Sequence, residues 1–180
     1  MGRLISVAEN SPHKKHYEEP SAAERTVALS ELMELICERL YEGQTVELMP
    51  HGTSMLPTIR DGQDSVILEA ISARLKKYDV ALYMRQNGVY VLHRVIDVTD
   101  EGYVFIGDNQ FVKESGITDL HLLARVAKYR RGDRLVSADS FSERARARLI
   151  HTLRPIRYFA LRVRRKLGRI FGRLFGKNKK

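Results

Sequence analysis

A chain of 180 residues, 43% of them hydrophobic, is long enough for one domain with a buried core plus extensions, and its single cysteine, Cys37, excludes an internal disulfide. The net charge of +9 is unevenly placed: residues 141–180 hold 14 of the 31 basic residues and one of the 22 acidic ones, a local +13, while residues 1–140 stand at −4. The basic character therefore belongs to that segment, and a partner inferred from it is a partner of that segment.

Residues 1–20 read as a polar N-terminal arm, broken by Ser11-Pro12 and Glu19-Pro20. Ser21-Ala22-Ala23-Glu24 has the form of a capping box and predicts a helix to about Tyr41 within residues 21–43. Val27, Leu29, Leu32, Leu35, Ile36 and Leu40 fall mostly on one side of it, and Gly43 stands where a helix ends. Cys37 belongs to the same helix and reads as a structural thiol.

Residues 44–135 carry short β-rich runs with turn signals about every ten residues. The expected strands are Thr45–Met49, Ser65–Glu69, Asp79–Met84, Val89–Val98, Tyr103–Ile106 and a last long one from Leu120 to Tyr129. Gln86-Asn87-Gly88 predicts a hairpin between two of them. With no βαβ alternation, the fold class is mainly β (α+β).

Residues 141–180 predict a basic amphipathic helical tail. Leu149, Leu153, Ile156, Ala160, Val163, Leu167, Ile170 and Leu174 step by four and three among arginines, with Pro155 a start or kink. An anionic membrane surface is its first expected partner, the alternative being a solvated helix or one whose stripe packs on the domain. Nucleic acid is disfavoured, because the aromatic residues lie within the apolar stripe and are not interleaved with the charges. No apolar run approaches the ~20 residues that span a bilayer, and no secretory h-region opens the chain. The expected location is cytoplasmic, with peripheral membrane contact through the tail.

The chemistry-bearing residues are few. His51-Gly52-Thr53-Ser54-Met55-Leu56-Pro57-Thr58 sets a serine beside a glycine on a loop between two strand-like runs. A serine is a weak nucleophile unless a base adjoins it. His93, in Val91–Ile96, is the candidate base, and Asp108, in Phe105-Ile106-Gly107-Asp108-Asn109, a candidate acid. Serine, histidine, acid is one of several chain orders that build the same catalytic geometry. No metal or cofactor is expected.

Four segments, GTSMLPTIRDGQD, KYDVALY, VLHRVIDV and FIGDN, follow one another over residues 46–110, with a weaker match to about Tyr129. In this order they resemble the signal peptidase I superfamily, which includes the self-cleaving SOS-type repressors. The resemblance implies a β-rich peptidase core, Ser54 as nucleophile and His93 as general base and then acid. Bacterial-type signal peptidases have a lysine at the His93 position; histidine resembles the archaeal and endoplasmic-reticulum type. In that type an aspartate six residues past the Gly-Asp-Asn aspartate orients the imidazole. The corresponding position is Glu114, so Asp108 and Glu114 both stand as candidates. Many signal peptidases place an oxyanion-stabilising serine two residues before the nucleophile. Here that position is Gly52, as in the repressor branch, which leaves the Ser54 backbone N–H and the Thr53 hydroxyl. Gly52, Thr53 and Met55 are the expected oxyanion and substrate-binding residues.

The implied activity is serine endopeptidase cleavage of a peptide or of a leader or signal sequence. No helix-turn-helix precedes the core, and no membrane anchor of the signal-peptidase kind is present in the sequence. The alternative is a non-catalytic peptide-binding or regulatory module held at a membrane by the tail.

Overall fold

The computed structural model describes residues 22–159, with side chains from Leu29 onward. The arm over residues 1–20, the Ser21 and Glu24 side chains of the expected capping box, and the tail beyond Phe159 lie outside the described residues. Helix α1 spans Ala22–Tyr41. Met33, Ile36 and Leu40, spaced by three and four, are buried in the main core, so this face packs on the sheet. The helix ends at Gly43, whose φ of +77° lies in the left-handed region that glycine adopts without strain. Cys37 is half-buried and not fully enclosed, and burial pushes its thiol pKa up.

Eight antiparallel strands follow: β1 (Val46–Leu48), β2 (Asp64–Glu69), β3 (Val80–Met84), β4 (Tyr90–Thr99), β5 (Gly102–Ile106), β6 (Glu114–Ile117), β7 (Leu122–Arg131) and β8 (Arg134–Ser137). They form one sheet in the order β1-β2-β7-β3-β4-β5-β6, with β8 paired to the far half of β7. The protein is thus mainly β with a few helices. Asn87-Gly88 makes the expected β3–β4 hairpin, with the Arg85 N–H on the Val89 carbonyl at 2.9 Å. β6 and β8 are additions to the sequence expectation. β6 reads Glu-Ser-Gly-Ile, with little β propensity of its own, and is a strand because β5 pairs with it.

β3 is buried on both faces, and its alternation sorts two cores. Val80 and Leu82 join α1, Leu48, Met55, Ile59, Val66 and Tyr129 in one. Ala81 and Tyr83 join Leu75, Val95, Tyr103, Phe105 and Ile117 in the other. In the β3–β4 register His93 faces Ala81 and Arg94 faces Val80. Neighbouring residues of β4 therefore serve opposite faces.

Helix α2, Phe141–Thr152, starts at Ser140, whose hydroxyl accepts from the Glu143 N–H. Residues 154–159 are again helical. Hydrogen bonds from Leu153 to Leu149 and from Arg157 to Leu153, at 2.9 and 3.0 Å, carry the path past Pro155. The sequence sets 141–180 apart as a tail, but its described part packs on the domain. Ala147, Ile150, Glu143 and Arg154 are buried, and Arg131 grips Glu143 with two bonds of 2.6 and 2.8 Å. Among the described residues, no helix is long and apolar enough to cross a membrane.

Candidate active site

The Ser54 loop connects β1 to β2 and is held from three sides. Below, Met55 is buried in the main core, and its carbonyl accepts from the Thr58 and Ile59 N–H groups at 2.8 and 3.0 Å. Met55 was expected among the oxyanion and substrate-binding residues. Its side chain is instead spent on anchoring the loop. At the entrance, Gly52 has φ +117°, and its N–H donates to the Asp61 carboxylate at 3.1 Å. Across the loop, the Asn109 N–H donates to the Ser54 carbonyl at 2.8 Å and the Asn109 amide donates to the Thr53 carbonyl at 3.1 Å. Gly107 lies so close that a Cβ there would sit 2.7 Å from the Ser54 carbonyl oxygen.

These contacts bring the loop to the end of β5. Ile106 pairs with Arg94, so Gly107, one step further, lies on the His93 side of that pair. The Ser54 hydroxyl makes no hydrogen bond among the described residues, and neither does the Ser54 N–H. Thr53 is exposed.

His93 is buried to 2% exposure, and its Nδ1 faces two groups. Glu114 Oε1 lies at 3.2 Å and the Tyr83 hydroxyl at 3.3 Å. Tyr83 donates to Glu114 Oε2 at 2.9 Å, and Arg85 grips the same carboxylate with bonds of 2.7 and 2.5 Å. A carboxylate only accepts, so the nitrogen facing it carries the proton. That assigns the Nδ1–H tautomer and leaves the Nε2 lone pair to accept. Burial pushes the His93 pKa down to about 4; Glu114 opposes the shift and Arg85 adds to it. For Glu114, burial favours the neutral acid, but the bonds from Arg85 and Tyr83 outweigh it and hold the carboxyl below its usual range. The Tyr83 hydroxyl is pushed up by burial and by the adjacent carboxylate, so it stays a donor.

Asp108 does different work. At 1% exposure it receives Arg94 Nε and Nη2 at 2.8 and 2.7 Å, and the Thr58 hydroxyl donates to it as well. Arg94 also donates to the Tyr78 carbonyl at 2.8 Å. This buried pair, on the face of β4 opposite His93, ties the base of the Ser54 loop at Thr58 to the β5 end and to β4. Of the two candidate acids, Glu114 touches the imidazole and Asp108 does not.

Three arginines from the C-terminal helical segment close over the same region. Arg146 donates to the Pro57 carbonyl at 3.1 Å, Arg157 to the Asp108 carbonyl at 3.3 Å and to Asn109 Oδ1 at 2.9 Å. Arg154 reaches the Gly107 carbonyl at 3.5 Å.

Sequence reasoning did not single out Tyr83, Arg85, Arg94 or Thr58. β-strand alternation offers a signal for one of them: Tyr83 lies two residues from Ala81, the partner of His93, and so shares its face. Compared with known proteins, the chain matches no family model, no curated protein and no solved structure.

Proposed function

We propose that this chain is a serine endopeptidase resembling the signal peptidase I superfamily, cleaving a peptide or leader sequence through an acyl-enzyme. The observation that carries the reading is the Glu114–His93 contact. A buried, neutral imidazole with its proton fixed on Nδ1 is poised to accept one at Nε2. On substrate binding Ser54 Oγ turns to Nε2, gives up its proton and attacks the scissile carbonyl carbon. The oxyanion is received by the Ser54 N–H, with the exposed Thr53 hydroxyl a second donor. As the carbon–nitrogen bond breaks, the imidazolium returns the proton to the leaving amine. Water, deprotonated by the same nitrogen, then frees Ser54. Hydrogen bonds of this kind are often unformed before substrate arrives.

A second feature supports the resemblance. Tyr78 has φ +79°, a conformation costly for a non-glycine residue. It occupies the position where the resembled family usually has the glycine of Gly-Asp-Val, so the backbone there has the form a glycine would suit. Cytoplasmic location remains part of this proposal.

The missing Ser54–His93 hydrogen bond favours a second reading, a non-catalytic module that captures an extended peptide by strand addition. Cleavage of a peptide library separates the two. A peptidase yields discrete products that vanish in Ser54→Ala; a capture module binds peptides equally well in both forms and cuts none.

A further inference from the structure

The C-terminal helical segment has two faces with opposite fates. Glu143, Ala147, Ile150 and Arg154 step by four, three and four on the face packed against the domain. The opposite face carries Leu149, Leu153, Ile156 and Phe159, at 57, 39, 64 and 68% exposure. Four large apolar side chains in line along a helix are an unusual solvent surface and need a partner. They do not cover the core, because that task falls to the other face.

The charge around this stripe points to the partner. Arg144, Arg146, Arg154 and Arg157 are engaged with the domain. Arg148, beside the stripe, is exposed and makes no ion pair among the described residues. The sequence that follows, residues 160–180, adds nine Lys and Arg and no acid, and repeats the spacing with Val163, Leu167, Ile170 and Leu174. A phosphate backbone would engage the cations but leave the leucines and isoleucine in water. An anionic lipid surface satisfies both, with headgroups on the cations and acyl chains on the stripe.

We infer that the face formed by Leu149, Leu153, Ile156 and Phe159, with the basic sequence after it, lies on an anionic phospholipid surface. Arg146 and Arg157 on the Ser54 and Asp108 loops would then hold the candidate site at the membrane. This inference does not rest on the peptidase reading, since lipid binding requires nothing of Ser54.

The test is co-sedimentation of the full chain with phosphatidylcholine vesicles containing or lacking phosphatidylglycerol. Binding to the anionic vesicles is expected, weakened by salt and by the double variant Leu149→Glu/Ile156→Glu by about tenfold or more. Both positions are exposed, so the variant should keep its circular dichroism and melting temperature. The chain has no Trp, so Leu153→Trp supplies a single reporter whose emission should shift blue on anionic vesicles. Three results would each overturn the inference: no vesicle binding, vesicle binding indifferent to the double variant, or no blue shift while single-stranded RNA binds tightly. Ser54→Ala should bind vesicles as the parent does, so failure of the peptidase reading stays distinct from failure of this one.

Discussion

Replacing Glu114 with Gln isolates the role of its charge with almost no change of shape. In the parent, the carboxylate 3.2 Å from His93 Nδ1 compels that nitrogen to carry the proton. A carboxamide can present its NH2 group instead, so Nδ1 becomes the acceptor and the proton moves to Nε2. Nε2 can then no longer take a proton from Ser54. Exchange of the acid for its amide in a serine-histidine-aspartate triad costs about 10⁴ in kcat, or about 5 kcal/mol of barrier, for this reason. A loss of that order is expected here in peptide cleavage and in the rate of Ser54 acylation. Stability should change much less. The Arg85–Glu114 pair is partly solvated, with the Arg85 side chain 36% exposed, and such pairs contribute about 1 kcal/mol or less. The assays are acylation kinetics with a fluorophosphonate, thermal unfolding, and ¹⁵N NMR of the imidazole to read the tautomer. Parent-like acylation in Glu114→Gln, with the tautomer reversed, would refute the assignment.

Asp108→Ala should behave in the opposite way: it strands Arg94 in a buried site and should cost roughly 3–5 kcal/mol, read from urea midpoints. The His93 pKa of about 4 predicts an acid limb of kcat/KM near pH 4 and not near 6.5, with a flat rate through neutrality. Because the folded pKa lies below the unfolded one, the unfolded chain binds more protons between about pH 6.5 and 4, and stability must fall as pH drops through that window. Glu114, also lowered, adds a loss of the same sign below its unfolded pKa. Urea titrations at successive pH values check both. Gly107→Ala would put a methyl 2.7 Å from the Ser54 carbonyl oxygen, where ordinary contact begins at 3.4 Å, so the Ser54 loop must shift. Slower acylation with a lowered melting temperature is the expected outcome.

Much of the fold was legible because its signals are local. The apolar three-and-four spacing, the Asn-Gly turn and the period-two runs each place an element from a few adjacent residues, as for α1 and the β3–β4 hairpin. β6 was not legible, since Glu114-Ser115-Gly116-Ile117 is made a strand by its neighbour and not by its composition. The site divides in the same way. Ser54 and His93 stand out from their segments, but the choice between Asp108 and Glu114 depends on which face of β4 each one meets. Only the register supplies that: His93 and Arg94 are adjacent in sequence and point to opposite cores. The C-terminal segment shows a further limit. Its apolar stripe is plain in the sequence, whereas the docking of the other face follows from Arg131, Asp79 and Pro57, distant residues that hold its Glu143, Arg144 and Arg146.

The proposed chemistry turns on activation of Ser54 by His93. Labelling the folded chain with a fluorophosphonate and mapping the adduct by mass spectrometry tests it most directly. A single adduct on Ser54, absent in Ser54→Ala and lost in His93→Ala while both variants remain folded, is the predicted result. An adduct elsewhere, or labelling of Ser54 that persists unchanged in His93→Ala, would contradict it.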